Sequence, residues 1–149
     1  MKKNKGFTLL ELLVVISIIG ILMAIGTVSF TTAQRKSRDS RRRGDMKAIQ
    51  KALEQCYSLD VKYPSSIAYG EVLTCGTLAQ TVMEVVPDDP KSATYSYTYT
   101  VDDAGDPSSY CLCSEMENLT TGNAEDSGSG GNCDYVNTPK NYFCVSNQQ

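Results

Sequence analysis

The chain has 149 residues, room for one modest domain and an additional segment, with 41% hydrophobic residues and a formal net charge of −3. It contains no histidine and no tryptophan, which removes the commonest general base and metal ligand, so neither an enzyme nor a cofactor-dependent protein is expected. The small net charge hides an asymmetry: Arg35 to Lys51 is strongly basic, interrupted only by Asp39 and Asp45, whereas beyond Glu54 the acids far outnumber Lys62, Lys91 and Lys140.

In chain order, Lys2, Lys3 and Lys5 precede an apolar run from Phe7 to Phe30, long enough to cross a hydrocarbon core as a helix. One charge lies inside it, Glu11. A carboxylate in such a helix costs roughly 2.5–3.5 kcal/mol on insertion scales, so it calls for a partner. A secretory signal peptide would have a shorter core ending in small residues, for which Thr31-Thr32-Ala33 is the available cleavage site. A plain single-pass anchor would explain the length but not Glu11. A further alternative is that Glu11 snorkels to the interface.

The stretch Lys5-Gly6-Phe7-Thr8-Leu9-Leu10-Glu11 closely resembles the processing site of type IV prepilins. That resemblance implies leader cleavage between Gly6 and Phe7, N-methylation of Phe7, and pairing of Glu11 with the Phe7 amine of a neighbouring subunit. Major pseudopilins of secretion systems are similar as well. Rods of this family often carry a proline in the apolar half; here none occurs from Phe7 to Leu59, and Gly20 and Gly26, near Thr27 and Ser29, are the weak points. Simple charge counting disagrees with the implied topology. The flank Arg35, Lys36, Arg38, Arg41, Arg42, Arg43 is more basic than the leader, and the positive-inside bias would hold the head in the cytoplasm. The cysteines and the processing motif favour the outside, and that placement is adopted.

Helical spacing continues through Met46, Ile49, Leu53 and Cys56, which predicts one helix from about 7 to 58, roughly 75 Å long at 1.5 Å per residue. Tyr63-Pro64-Ser65-Ser66 ends it, a short helix is expected over Thr77 to Glu84, and Pro87-Asp88-Asp89-Pro90 is a turn. Tyr95, Tyr97, Tyr99 and Val101 alternate with small polar residues as a strand; Tyr110 to Met116 and Asn141 to Val145 read as two more. The tyrosines are expected on the buried face, with a sugar-binding surface as the sharper alternative. Thr120 to Asn132 reads as an exposed loop.

Six cysteines, Cys56, Cys75, Cys111, Cys113, Cys133 and Cys144, follow the apolar segment and read as disulfides. The pairings favoured are Cys56 with Cys75 and Cys133 with Cys144, with Cys111 and Cys113 pairing outward rather than with each other. Zinc is the alternative at Cys111-Leu112-Cys113, but C-x-x-C pairs and histidines are missing, so no metal is expected. Asp102, Asp103 and Asp106 could ligate calcium, yet an Asp-Gly-Pro turn needs none. The basic run Arg35 to Arg43 is read as a charge patch that docks acidic heads of other subunits. Phospholipid headgroups, DNA and a solvated helix face are the alternatives, and nucleic acid is not expected as a partner.

The fold expected is α+β: a long N-terminal helix, a transmembrane half plus an amphipathic half, packed on a small antiparallel sheet with a disulfide-bonded C-terminal loop. The domains are a leader at 1–6, a membrane or filament-core helix at 7–30, the amphipathic half at 31–58 and a head at 59–149. The resemblance implies a structural subunit of a type IV pilus, made as a single-pass precursor in the cytoplasmic membrane with its head outside, then polymerised into a surface filament for adhesion, motility or DNA uptake. Its partners would be further copies of itself, minor pilins, the assembly platform, a prepilin peptidase and the inner membrane. The alternatives are a pseudopilin of a type II secretion or competence machine, and a membrane-anchored adhesin that never polymerises.

Overall fold

The computed structural model describes residues 6–136 and 140–148; the leader lysines lie outside them. Among the described residues the element order is α1 (Leu9–Asp60), β1 (Leu73–Cys75), β2 (Gln80–Met83), β3 (Tyr97–Val101), β4 (Tyr110–Glu115) and β5 (Tyr142–Ser146). The chain divides into two compact units, Met1–Arg35 and Lys36–Gln149.

In the first unit, α1 starts at a capping box. Thr8 is the N-cap: its Oγ1 accepts the Glu11 N–H at 3.3 Å, while Glu11 Oε2 accepts the Thr8 N–H at 2.9 Å. Two of the amides that every helix start leaves without intrahelical partners are thereby satisfied. No proline interrupts the run that follows.

In the second unit, the helix buries a stripe at three- and four-residue spacing, Asp39, Arg42, Met46, Ile49, Leu53 and Cys56. The four apolar members are the ones the sequence periodicity indicated. They pack with Tyr63, Leu73, Val86, Tyr97, Tyr110, Leu112 and Val145 into the main core. Val61 follows the helix in the left-handed region, φ 59°, and its N–H donates to the Tyr57 carbonyl at 2.8 Å.

β3, β4 and β5 form a three-stranded antiparallel sheet with β4 central. Alternation along β4 sends Tyr110 and Leu112 into the main core and Cys111 and Cys113 to the opposite face. There a second small core forms from Cys111, Cys113, Ala124 and Cys144, covered by Cys133 and Tyr142. β4 is buried on both faces, which explains its unbroken burial from Tyr110 to Ser114. Tyr97 is buried, and Tyr99 and Tyr110 stack at 5.8 Å between ring centroids, so the tyrosine face looks into the core.

Two expectations are corrected. Thr77 to Glu84 is not a helix: Gln80–Met83 is β2, paired antiparallel with β1. Gly76 (φ 85°) and Ala79 (φ 50°) turn the chain back, and Cys75 is tied to Cys56. Residues 120–132 are also more than a solvent loop. Ala124 is buried and bridges Tyr142, and the Asn123 amide both donates to the Cys144 carbonyl and accepts its N–H, at 2.8 and 2.7 Å, closing the free edge of β5. Gly122 permits this approach, since a Cβ there would lie 2.0 Å from the Tyr142 carbonyl oxygen.

Candidate functional site

The N-terminal site is built from Gly6, Phe7, Thr8 and Glu11. Gly6 is exposed with open space around it, and Phe7 is 86% exposed. Glu11 Oε2 also accepts the Thr8 hydroxyl at 2.8 Å, so the carboxylate is fixed at the first turn of α1. The capping role was missed in the sequence, although Thr8-Leu9-Leu10-Glu11 has the required [ST]-x-x-E spacing before an apolar run. Downstream, Leu9 (80%), Leu12, Leu13, Ile16, Ile18, Ile21, Leu22, Ile25 and Phe30 (64%) are all about half or more exposed. Burying each such side chain contributes about 1.5–3 kcal/mol. A continuous apolar surface of this kind marks a membrane or a protein partner. By length and composition this segment can cross a membrane.

The basic run behaves differently from one residue to the next. Arg42 is 0% exposed. Its guanidinium makes a two-pronged contact with Asp89 at 2.7 and 3.0 Å and bonds Asp39 at 2.8 Å and Glu117 at 3.1 Å. It also lies 4.7 Å from the Tyr95 ring centroid. Burial by itself would lower the Arg42 pKa; the bonds to Asp89, Asp39 and Glu117 overcome it and hold it above its ordinary value. Arg38 makes a second two-pronged contact with Glu117, both bonds 2.6 Å. The Arg38 bonds, chiefly, hold the Glu117 carboxyl down at about 2. Asp39 in turn accepts the Glu117 and Asn118 N–H groups at 2.9 Å each. Arg43 donates to the Thr121 carbonyl and sits over Phe143. Arg35, Lys36 and Arg41 are exposed. Arg38, Arg42 and Arg43 therefore serve the fold of the head. The sequence hid this because Asp89 and Glu117 lie 47 and 75 residues from Arg42.

All six cysteines pair: Cys56–Cys75, Cys111–Cys133 and Cys113–Cys144. The first agrees with the preferred pairing, and Cys111 and Cys113 do pair outward. The Cys133–Cys144 preference is corrected. Cys113 and Cys144 face each other in register across β4 and β5, 4.1 Å between Cα atoms, and so claim one another. At the proposed calcium turn, Asp102 accepts the N–H groups of Ser108 and Ser109 at 3.0 Å each and the Ser108 hydroxyl at 2.5 Å. Asp103 accepts the Gly105 N–H. These bonds fix the loop, and they keep the Asp102 carboxyl well below the usual carboxylate range, the Ser108 hydroxyl contributing most.

The N-terminal segment is thus an apolar helix opened by an exposed Gly-Phe junction and a fixed carboxylate, the arrangement of a prepilin-type terminus. The family model for the prokaryotic N-terminal methylation motif matches residues 1–27. The type IV major pilin protein PilA of Myxococcus xanthus is 39% identical over 61 residues, covering 41% of this chain and 28% of that protein. The type II secretion system core protein G of Pseudomonas aeruginosa is 38% identical over 66 residues, 44% of this chain and 46% of that one. The type IV major alpha-pilin of Moraxella bovis is 43% identical over 54 residues, 36% and 34% respectively. The matched regions span less than half the length of each of these relatives. No solved structure matches the chain. Residues 1–27 carry the prokaryotic N-terminal methylation motif.

Proposed function

We propose that this chain is a structural subunit of a type IV pilus, made as a prepilin and polymerised into a surface filament. The observation that carries the proposal is the exposed apolar face of Leu9 to Phe30 with Glu11 at its start, on a segment matching the methylation motif. In this reading a prepilin peptidase cuts between Gly6 and Phe7 and the new Phe7 amine is methylated. The precursor waits in the cytoplasmic membrane, head outside, with residues 7–30 in the bilayer. On assembly those residues exchange lipid for neighbouring copies.

The capping box shapes the electrostatics of assembly. Both side-chain bonds to Thr8 fall on Glu11 Oε2, so Oε1 is the oxygen offered to a neighbour's Phe7 ammonium. Leaving either ion alone in a low-dielectric environment costs about 3–5 kcal/mol, which favours docking only where both are present. Arg35, Lys36 and Arg41 supply the exposed part of the basic patch and would face acidic heads of other copies; complementary potentials of that kind fix register. Charge reversal at Arg35, Lys36 and Arg41 tests that contact, whereas Arg42 would report head folding instead.

Glu11→Ala tests the main reading. Membrane insertion and head folding should persist while surface filaments are lost. Undiminished filament yield would overturn the Glu11–Phe7 pairing, and an insertion-competent wild-type chain that forms no polymer would support a lone membrane-anchored adhesin. The similarity to a type II secretion core protein keeps a pseudopilin as the second reading; a polymer confined to the cell envelope would favour it.

A further inference from the structure

The second small core brings four sulfur atoms together. The Sγ atoms of Cys111, Cys113, Cys133 and Cys144 all lie within 4.8 Å of one another. Cys111 Sγ and Cys113 Sγ, which belong to different disulfides, are 3.3 Å apart. Three independent segments hold them: β4 presents Cys111 and Cys113 on one face, β5 presents Cys144 in register with Cys113, and the loop between β4 and β5 brings in Cys133. Cys111, Cys113 and Cys144 are buried, and Ala124 and Tyr142 complete an apolar wall. Gly128 seats the loop on the cluster, since a Cβ there would lie 2.9 Å from Cys111 Sγ.

Once both disulfides are reduced, four thiolates gathered this closely suit a second chemistry. Zinc binds four cysteines tetrahedrally at about 2.3 Å, which sets sulfur atoms about 3.8 Å apart. Opening the two disulfides to that spacing asks for side-chain rotation about fixed backbone positions. Soft thiolates select zinc among the common divalent ions, and an apolar wall excludes competing water.

We propose that the reduced head binds one zinc ion through Cys111, Cys113, Cys133 and Cys144, and that this tetrathiolate site precedes the two disulfides. Zinc then holds β4, β5 and the loop between them together before oxidation. Two equivalents of a disulfide oxidant, RSSR, convert the site. Four thiolates give up four electrons and form the Cys111–Cys133 and Cys113–Cys144 bonds, four RS− leave, and Zn2+ is released. Cys133 is the partly exposed member of the four, so it is where the oxidant enters. The proposal is independent of polymerisation.

The test uses the full chain in detergent micelles, reduced with a phosphine and titrated with Zn2+ alone. One zinc per chain is expected, and Co2+ in its place should show the charge-transfer and tetrahedral bands of a four-sulfur site. The Cys56→Ser/Cys75→Ser variant should keep both signals, while Cys111→Ser and Cys144→Ser should each lose the four-sulfur spectrum. Oxidised glutathione added to the zinc-loaded chain should release one equivalent of zinc and give only the two native pairs on peptide mapping. Less than one zinc per reduced wild-type chain, or a cobalt spectrum indifferent to Cys111→Ser, would overturn the proposal.

Discussion

The two stretches of α1 share a secondary structure and little else. From Leu9 to Ile25, and at Phe30, the large apolar side chains lie open, with Phe7 beside them. From Lys36 to Asp60 every third or fourth side chain is sealed into the head, Arg42 among them. The first stretch carries its stability as a debt to a bilayer or to other copies; the second settles within one chain. A membrane-length helix with a single acid is thus a surface waiting for cover, while half of the basic run beside it, Arg38, Arg42 and Arg43, is spent within the head.

The largest expected effect separates buried from exposed basic residues. Arg42→Ala removes the cation from among Asp39, Asp89 and Glu117 and should destabilise the head by about 3–5 kcal/mol, read by urea unfolding of the full chain in micelles. Arg41→Ala, at an exposed position 3.9 Å from Asp45, should stay within about 0.5 kcal/mol. Equal effects would erase the distinction between the two kinds of arginine.

Acid should act on the same cluster. Glu117 is held at about 2, below its ordinary 4.5, so it binds protons less readily folded than unfolded. Its contribution is complete above pH 4.5 and is lost as pH falls towards 2. Head stability should therefore drop across that window, less steeply in Glu117→Gln, and a wild-type profile parallel to that of the variant would remove Glu117 from the explanation. A change smaller than that of Arg42→Ala, and opposite in sign, is expected at the end of α1. Val61, exposed and β-branched in the left-handed region, occupies the place where helices prefer glycine. Val61→Gly should stabilise the head by about 1 kcal/mol in the same unfolding assay.

Much of this was legible locally. The periodicity through Met46, Ile49, Leu53 and Cys56 gave the buried stripe, and the alternating tyrosines gave β3. The N-terminal methylation motif was readable because its residues are contiguous in sequence. What escaped depended on distance or on ambiguous turns. Thr77 to Glu84 is short enough to fit either period, and the reversal at Gly76 and Ala79 decided it. The fate of Arg42 was set by acids brought from the turn at Asp89 and the end of β4. The Cys113–Cys144 bond followed from strand register, which cysteine spacing does not encode. The Thr8–Glu11 capping box is contiguous in sequence too, but an acid in an apolar run reads first as a charge in need of a distant partner.

The central claim is that the apolar half of α1 is covered by further copies once the leader is gone. Intact mass measurement on the chain recovered from sheared surface filaments tests it most directly. The account predicts a filament whose subunit begins at Phe7 and carries one added methyl group. A chain found only in the membrane fraction, with its mass still including Met1 to Gly6, would contradict it.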